Sequence, residues 1–208
     1  MINRKNGVPG DGAYRAFLRA VESHRMLAPG DRVMLSLSAG KDSMALLDMM
    51  ARCRDGLPLT LAAFHLNHMV RGAESDADGE FVARICAERA VSLIVERFDF
   101  NAHTPAGRSF EEFAREQRYR MLRRAAADFG AVKIATAHTR DDLVETVLMR
   151  IFRGTGIHGL EGIAPVSGDL IRPMLELGSA DAYAYLRARS IRWREDASNA
   201  DTACDRNY

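Results

Sequence analysis

Short apolar runs alternate along the chain with longer segments whose apolar residues recur every three or four positions. RVMLSL (32–37), LTLAAFHL (59–66), SLIVERF (92–98) and VKIATAH (132–138) read as strands, the first of them buried. LIRPML holds a short fifth strand that Pro173 stops. Residues 12–27, with Phe17, Leu18 and Val21 on one side, read as a helix. So do 43–54, about 75–90, 109–129, 140–153 and 179–190, while 154–169 reads as a Gly-rich loop. Ser75 with Asp78, and Ser109 with Glu112, have the spacing of capping boxes.

Strands alternating with helices predict right-handed βαβ units. The expected fold is α/β: a doubly wound, mostly parallel, five-stranded sheet with helices on both faces. Ligands of such sheets bind at the carboxyl ends of the strands, near the topological switch point. The notable polar residues fall there: 38–43 after the first strand, 65–71 after the second and 138–146 after the fourth.

Composition adds limits. The chain has 208 residues, 47% hydrophobic and 27% charged, enough for one domain over 1–208 with a substantial core. It has no run of roughly 18 apolar residues, so no membrane span is expected. The opening MINRKNGVPGDGAY lacks the apolar stretch of a secretory signal. Cys53, Cys86 and Cys204 form no CxxC pair, which speaks against zinc or iron–sulfur chemistry and fits a reducing, cytoplasmic setting. Net charge is +1, lower than a dedicated nucleic-acid domain usually carries. Arginines still cluster at Arg118, Arg120, Arg123 and Arg124, and again at Arg187, Arg189, Arg192 and Arg194. These fit solvated helix faces or an edge facing a polyanion.

The candidate chemistry centres on SLSAGKDSMALL (36–47). A Walker A loop is excluded, because Asp42 follows Gly40-Lys41 and Leu35 stands five before Gly40. Small residues between a strand and a helix let backbone N–H groups converge on an anion, helped by the helix dipole. Ser38 and Ser43 add hydroxyls, and Asp42 suits such a site when Mg²⁺ lies between it and a phosphate. The plainer reading is a βα turn with Ser43 as N-cap. Farther on, Leu143, Val144, Val147, Leu148 and Ile151 share one helical stripe, with Asp142, Glu145 and Thr146 on the other side. Those carboxylates can complement the helix dipole or grip a cationic amine.

SAGKDS resembles the SGGxDS pyrophosphate loop of the N-type ATP pyrophosphatases, the PP-loop superfamily. HLNHMVRGAESDADGEFV (65–82), SFEEFAREQRYRML (109–122), TAHTRDDLVETVLMRIFRGTGIHGL (136–160) and the terminal EDASNADTACDRNY resemble the signatures of one branch, the tRNA(Ile)-lysidine synthetases. The resemblance implies an adenine nucleotide alpha hydrolase-like fold. It implies a ligase that uses ATP and Mg²⁺ to join free L-lysine to the wobble cytidine of tRNA(Ile) with a CAU anticodon. Carried over residue by residue, Ser38, Ala39, Gly40, Lys41, Asp42 and Ser43 would bind the pyrophosphate moiety of ATP, Asp42 through the metal. Arg115 and His138 would contact ATP phosphates or the adenylate, and Asp142 and Glu145 would hold lysine. Arg71 and His68 would face tRNA or phosphate, whereas His65 would be packed. Arg153 and Gly154 would order the following loop, and Asn199 and Arg206 would fold back towards the site. Ala39 and Ala137 replace the usual glycines. Either the loop backbone at Ala39 has negative φ, or phosphate binding is weakened. The family's C-terminal tRNA-binding domains are expected to lie outside these 208 residues. The alternatives are a tRNA 2-thiolation enzyme of the same superfamily, which typically carries CxxC pairs, and a non-catalytic ATP-binding module.

Overall fold

One sheet carries the architecture, with strands in the order β3-β2-β1-β4-β6-β5. They are β1 Arg32–Leu37, β2 Thr60–Asn67, β3 Ser92–Arg97, β4 Lys133–Ala135, β5 Val166–Ser167 and β6 Leu170–Ile171. The computed structural model describes residues 11–69, 72–103, 107, 109–152, 154 and 162–195. β1 pairs in parallel with both β2 and β4, and β4 pairs in parallel with β6. The chain winds outward from β1 to β3, then crosses back to lay β4 on the other side of β1. The switch point therefore lies between β1 and β4, where loops 38–40 and 136–139 leave the sheet side by side.

Alternation along each strand divides the core between two faces. Val33, Leu35, Leu37, Leu61, Ala63, Ala135 and Ile171 pack with α1 Asp11–Ser23, α2 Lys41–Cys53, α3 Ala73–Glu88 and α7 Ser179–Ala188. Met34, Ala62, Phe64, Leu66, Ile134 and Leu170 pack with α5 Phe110–Phe129 and with Phe100 of α4, Phe100–His103. The doubly wound arrangement expected from the alternating pattern is thus present.

The strand count is six, not five. β5 and β6 form a hairpin whose two-residue loop turns on Gly168, at φ 61°. Strands of two residues are too short to display an alternation, so β5 read as loop. Neither expected capping box forms. α3 starts earlier, after Gly72 at φ 52°, a conformation open to glycine that carries the chain into the helix ahead of Ser75. Ser109 is the N-cap of α5 but makes no side-chain capping bond.

Helix α6, Arg140–Phe152, departs from its expected burial. Leu143 and Val147 are half-buried beneath Gly162, where a Cβ would clash with Leu143 Cδ1. Val144, Leu148 and Ile151 stay 51%, 47% and 51% exposed, so only part of the apolar stripe is covered. No described helix is long and apolar enough to cross a membrane.

The helices of the first face are tied by a buried charge. Asp48, in the middle of α2, is 4% exposed. It accepts hydrogen bonds from Tyr185 Oη at 2.5 Å, Arg189 Nε at 2.8 Å and Arg89 Nε at 3.1 Å. Arg52 Nη1 donates to Tyr185 Oη at 3.1 Å, and Arg52 Nη2 pairs with Asp11 at 3.2 Å. α1, α2, the end of α3 and α7 are joined in this way. Removing one partner from a buried ion pair costs about 3–5 kcal/mol, because the remaining charge loses its counter-ion. We expect Asp48→Asn to lower stability by about 3 kcal/mol in urea denaturation, at the low end of that range because both arginines retain some solvent. An unchanged midpoint would contradict this role.

Candidate functional site

β1 ends at Leu37 and α2 begins at Lys41, so the chain reverses direction over three residues. The Ser43 hydroxyl closes the turn, donating to the Ser38 carbonyl at 2.5 Å with the Gly40 carbonyl 3.0 Å away. It accepts from Ser38 N–H at 3.2 Å, and Gly40 N–H donates to Ser38 Oγ at 3.3 Å. Ser43 is buried and lies inside the helix, so it is not the N-cap. That position belongs to Gly40, at φ −71°. The first N–H groups of α2 have no intrahelical acceptor, and the helix begins where the chain leaves β1. Ala39 is not among the residues at positive φ, and its methyl group is buried in the core. The first of the two possibilities for this loop therefore holds.

Acidic residues flank the turn. The burial of Asp42 raises its carboxyl pKa; the charge of Asp142 adds to this, and Lys41, with Nζ 3.5 Å away, opposes it. Ser179 Oγ donates to Asp42 at 3.4 Å, and Ser179 N–H donates to Asp141 at 2.6 Å. The starts of α2, α6 and α7 thus meet. Asp142 accepts from Thr139 N–H at 2.7 Å and from Thr139 Oγ1 at 2.9 Å, both on Oδ2. One oxygen of Asp142 therefore secures the entry to α6. Glu145 follows on the same helix, half-buried.

His138 stands on the rim beyond Asp142. Burial lowers its pKa to about 4; Asp142 opposes this, while Arg172, Arg115 and Arg118 reinforce it. Its Nδ1 lies 2.8 Å from the Thr136 hydroxyl. The imidazole is therefore neutral near pH 7. Arg115 is exposed, its guanidinium 5.7 Å from the Tyr119 ring centre. The rim grades from helix N-termini and carboxylates at α2, α6 and α7 to arginines around His138.

The other expected site residues are spread more widely. His65 is buried, its Nδ1 3.1 Å from the Leu37 carbonyl, as expected of a packed residue. His68 rests against Phe100, with ring centres 5.1 Å apart. Arg71, Arg153, Asn199 and Arg206 lie outside the described residues. Arg194, near the end of the described residues, has its N–H donating to the Ala39 carbonyl at 2.9 Å and its side chain paired with Asp78. Sequence reasoning missed Ser179, Asp141, Arg172 and Arg194. Arg172 follows a strand directly, so the carboxyl-end rule could have found it; Ser179 and Arg194 become visible only through tertiary contacts.

Among the described residues no three His, Cys, Asp or Glu side chains cluster as a metal cage. Asp42 with Asp142 nearby offers hard oxygen donors, which fits Mg²⁺ held by one or two carboxylates together with phosphates and water.

Residues 13–208 match the PP-loop domain family. The chain is 40% identical over 195 residues to the tRNA(Ile)-lysidine synthase of Chlorobaculum tepidum, covering 93% of this chain and 59% of that protein. It is 41% identical over 202 residues to the tRNA(Ile)-lysidine synthase of Geobacter sulfurreducens, covering 96% and 43%. It thus spans about half the length of these curated relatives. Its fold is similar to the U34-tRNA thiolase NcsA of Methanococcus maripaludis, at a TM-score of 0.73 and 17% identity, covering 88% of this chain and 64% of the other. It is also similar to the NH3-dependent NAD synthetase of Campylobacter jejuni, at a TM-score of 0.60 and 15% identity, covering 88% and 74%.

Two outcomes follow from the geometry. The folded pKa of His138, about 4, lies below the value of about 6.5 for an unfolded histidine. Its contribution to stability is therefore complete above about pH 6.5 and is lost as pH falls towards 4, because the unfolded chain takes the proton first. An NMR titration should place the His138 midpoint near 4, and a midpoint of 6.5 or higher would refute the buried, arginine-flanked setting. Ala39→Gly relieves no strain. It should lower stability by about 0.5–1 kcal/mol in denaturant titrations and leave ATP affinity unchanged; tighter ATP binding would count against negative φ at this position.

Proposed function

The chain belongs to the PP-loop domain family, and on that premise we propose that it takes part in joining lysine to the wobble cytidine of a CAU-anticodon isoleucine tRNA at the expense of ATP. The reading rests chiefly on the 40% identity to a tRNA(Ile)-lysidine synthase over 93% of the chain, which includes the loop after β1 and the start of α6. The rim geometry agrees with it, since a phosphate-binding turn, two carboxylates and a neutral histidine share one edge.

In this reading the N-terminal amides of α2 and the loop around Ser38 and Gly40 receive the β- and γ-phosphates. Ser43 shapes the turn from beneath. Asp42, with Asp142 beside it, would hold a Mg²⁺ ion, which when bound neutralises phosphate charge. The cytidine O2 attacks the α-phosphorus and pyrophosphate leaves, giving an adenylated base. His138, neutral and steadied by Thr136, offers the reacting phosphoryl group a hydrogen bond without adding charge. Arg115 offsets the negative charge that develops there. The ε-amine of lysine then attacks C2 of the cytidine, AMP leaves, and the amine proton passes to a carboxylate. Glu145 is the better candidate for that proton, because Asp142 shares one oxygen with Thr139.

Thiolation is the weaker reading. Cys53 and Cys86 are buried in α2 and α3, where burial pushes each thiol pKa up to about 11, so neither is set up as a thiolate at the rim.

The test is mass analysis of tRNA(Ile) after incubation with ATP and lysine. The expected product carries the mass of one lysine less one water at the wobble cytidine. An unchanged tRNA mass with protein able to bind the tRNA would defeat the proposal. Two variants assign the roles. Asp42→Asn should cut pyrophosphate release by orders of magnitude. Glu145→Gln should weaken lysine use roughly ten- to a hundred-fold, the scale of one hydrogen bond to a charged group. Adenylated tRNA should accumulate with Glu145→Gln, and its absence would move this carboxylate into the ATP–metal site.

A further inference from the structure

Arg172 is 8% exposed and follows the last residue of β6. Its Nη1 donates to the Ala164 carbonyl at 2.5 Å, and its Nε is buried without a partner. Among the described residues no carboxylate pairs with it, in contrast to Arg89 and Arg189, which share Asp48. A guanidinium is charged at any physiological pH, and a buried charge is costly unless paired. Its backbone is firmly placed, with Arg172 N–H donating to the Pro165 carbonyl at 2.9 Å and Thr136 N–H to the Ile171 carbonyl at 3.0 Å. These bonds set Arg172 beside Thr136, whose hydroxyl meets His138.

We propose that Arg172 anchors an oxyanion subsite at the carboxyl ends of β4 and β6, beside His138, that takes a carboxylate or a single phosphoryl group. The order β1-β4-β6 puts this subsite two strands from the turn at 38–40, roughly 10 Å at the usual strand spacing. It therefore serves a different charge from the phosphates received at that turn. The planar guanidinium has a free buried donor and suits a planar or tetrahedral oxyanion. Resting on the function proposed above, the two sources of this chemistry are the carboxylate of the amino-acid substrate and the α-phosphoryl group of the nucleotide.

The experiment measures AMP, L-lysine and cadaverine (lysine without its carboxylate) binding by calorimetry to the 208-residue chain, Arg172→Met and Arg172→Lys. The subsite predicts at least a tenfold loss in Arg172→Met for AMP, for L-lysine, or for both, with cadaverine unchanged. A loss confined to AMP assigns the phosphoryl group, and one confined to L-lysine assigns the carboxylate. Should Arg172→Met fail to fold, Arg172→Lys keeps the charge but loses the planar fork and should still weaken the same ligand at least threefold. Wild-type affinities in the folded variants, or a parent chain that binds neither AMP nor L-lysine, would overturn the proposal. A tRNA mass that stays unchanged while AMP binding depends on Arg172 would instead count against the lysidine reading and leave the subsite standing.

Discussion

The carboxylate of Asp48 is the charge around which the helices on one face of the sheet are arranged. It is buried, and Tyr185, Arg189 and Arg89 reach it from two other helices with hydrogen bonds. α2 and α7 are held together through this contact, and the start of α7 delivers Ser179 to Asp42 and Asp141. The positions of the acidic groups at the rim thus depend on a contact made well below it. Arg52, stacked 3.8 Å over Tyr14 and bonded to Asp11, extends the same network to α1.

At the rim, three helix N-termini compete for negative partners. Two of the starts have amides satisfied by carboxylates of the chain: Asp142 at α6, and at α7 Asp181 through Gly178 N–H and Asp141 through Ser179 N–H. At α2 the loop amides of Ser38 and Gly40 bond to serine hydroxyls instead. In the proposed function that difference leaves the β1–α2 turn to an external anion. The neutral His138 and the arginines beyond it mark a second, separate zone of the same edge.

The sheet was legible wherever strands were long enough to alternate or to read as apolar runs. β1 to β3 and the longer helices fall close to where the pattern puts them, because burial on one or both faces forces the periodicity, whereas β4 keeps only Lys133–Ala135 of the expected 132–138. The β5–β6 hairpin was not fully legible, since two residues show no period. The capping boxes were misread because glycine freedom at Gly72 starts α3 earlier, and because the spacing of Ser109 and Glu112 does not by itself create a bond. Of the site, Asp42, His138 and Asp142 lie in the polar stretches 38–43 and 138–146 that the sequence places at strand ends. Ser43 was recognised as important, but its hydroxyl closes the turn. Ser179 and Asp141 meet only through the packing of α7 on α2, a contact that no local pattern encodes.

In the proposed function the turn at 38–43, the start of α6 and the start of α7 form one nucleotide site. Hydrogen exchange with and without ATP–Mg²⁺ tests it most directly. Amides in 38–43, 136–142 and 177–181 should gain protection together, at one ATP concentration dependence, while β3 and α4 are unchanged. Protection confined to the turn at 38–43, or centred on β3 and α4, would contradict it.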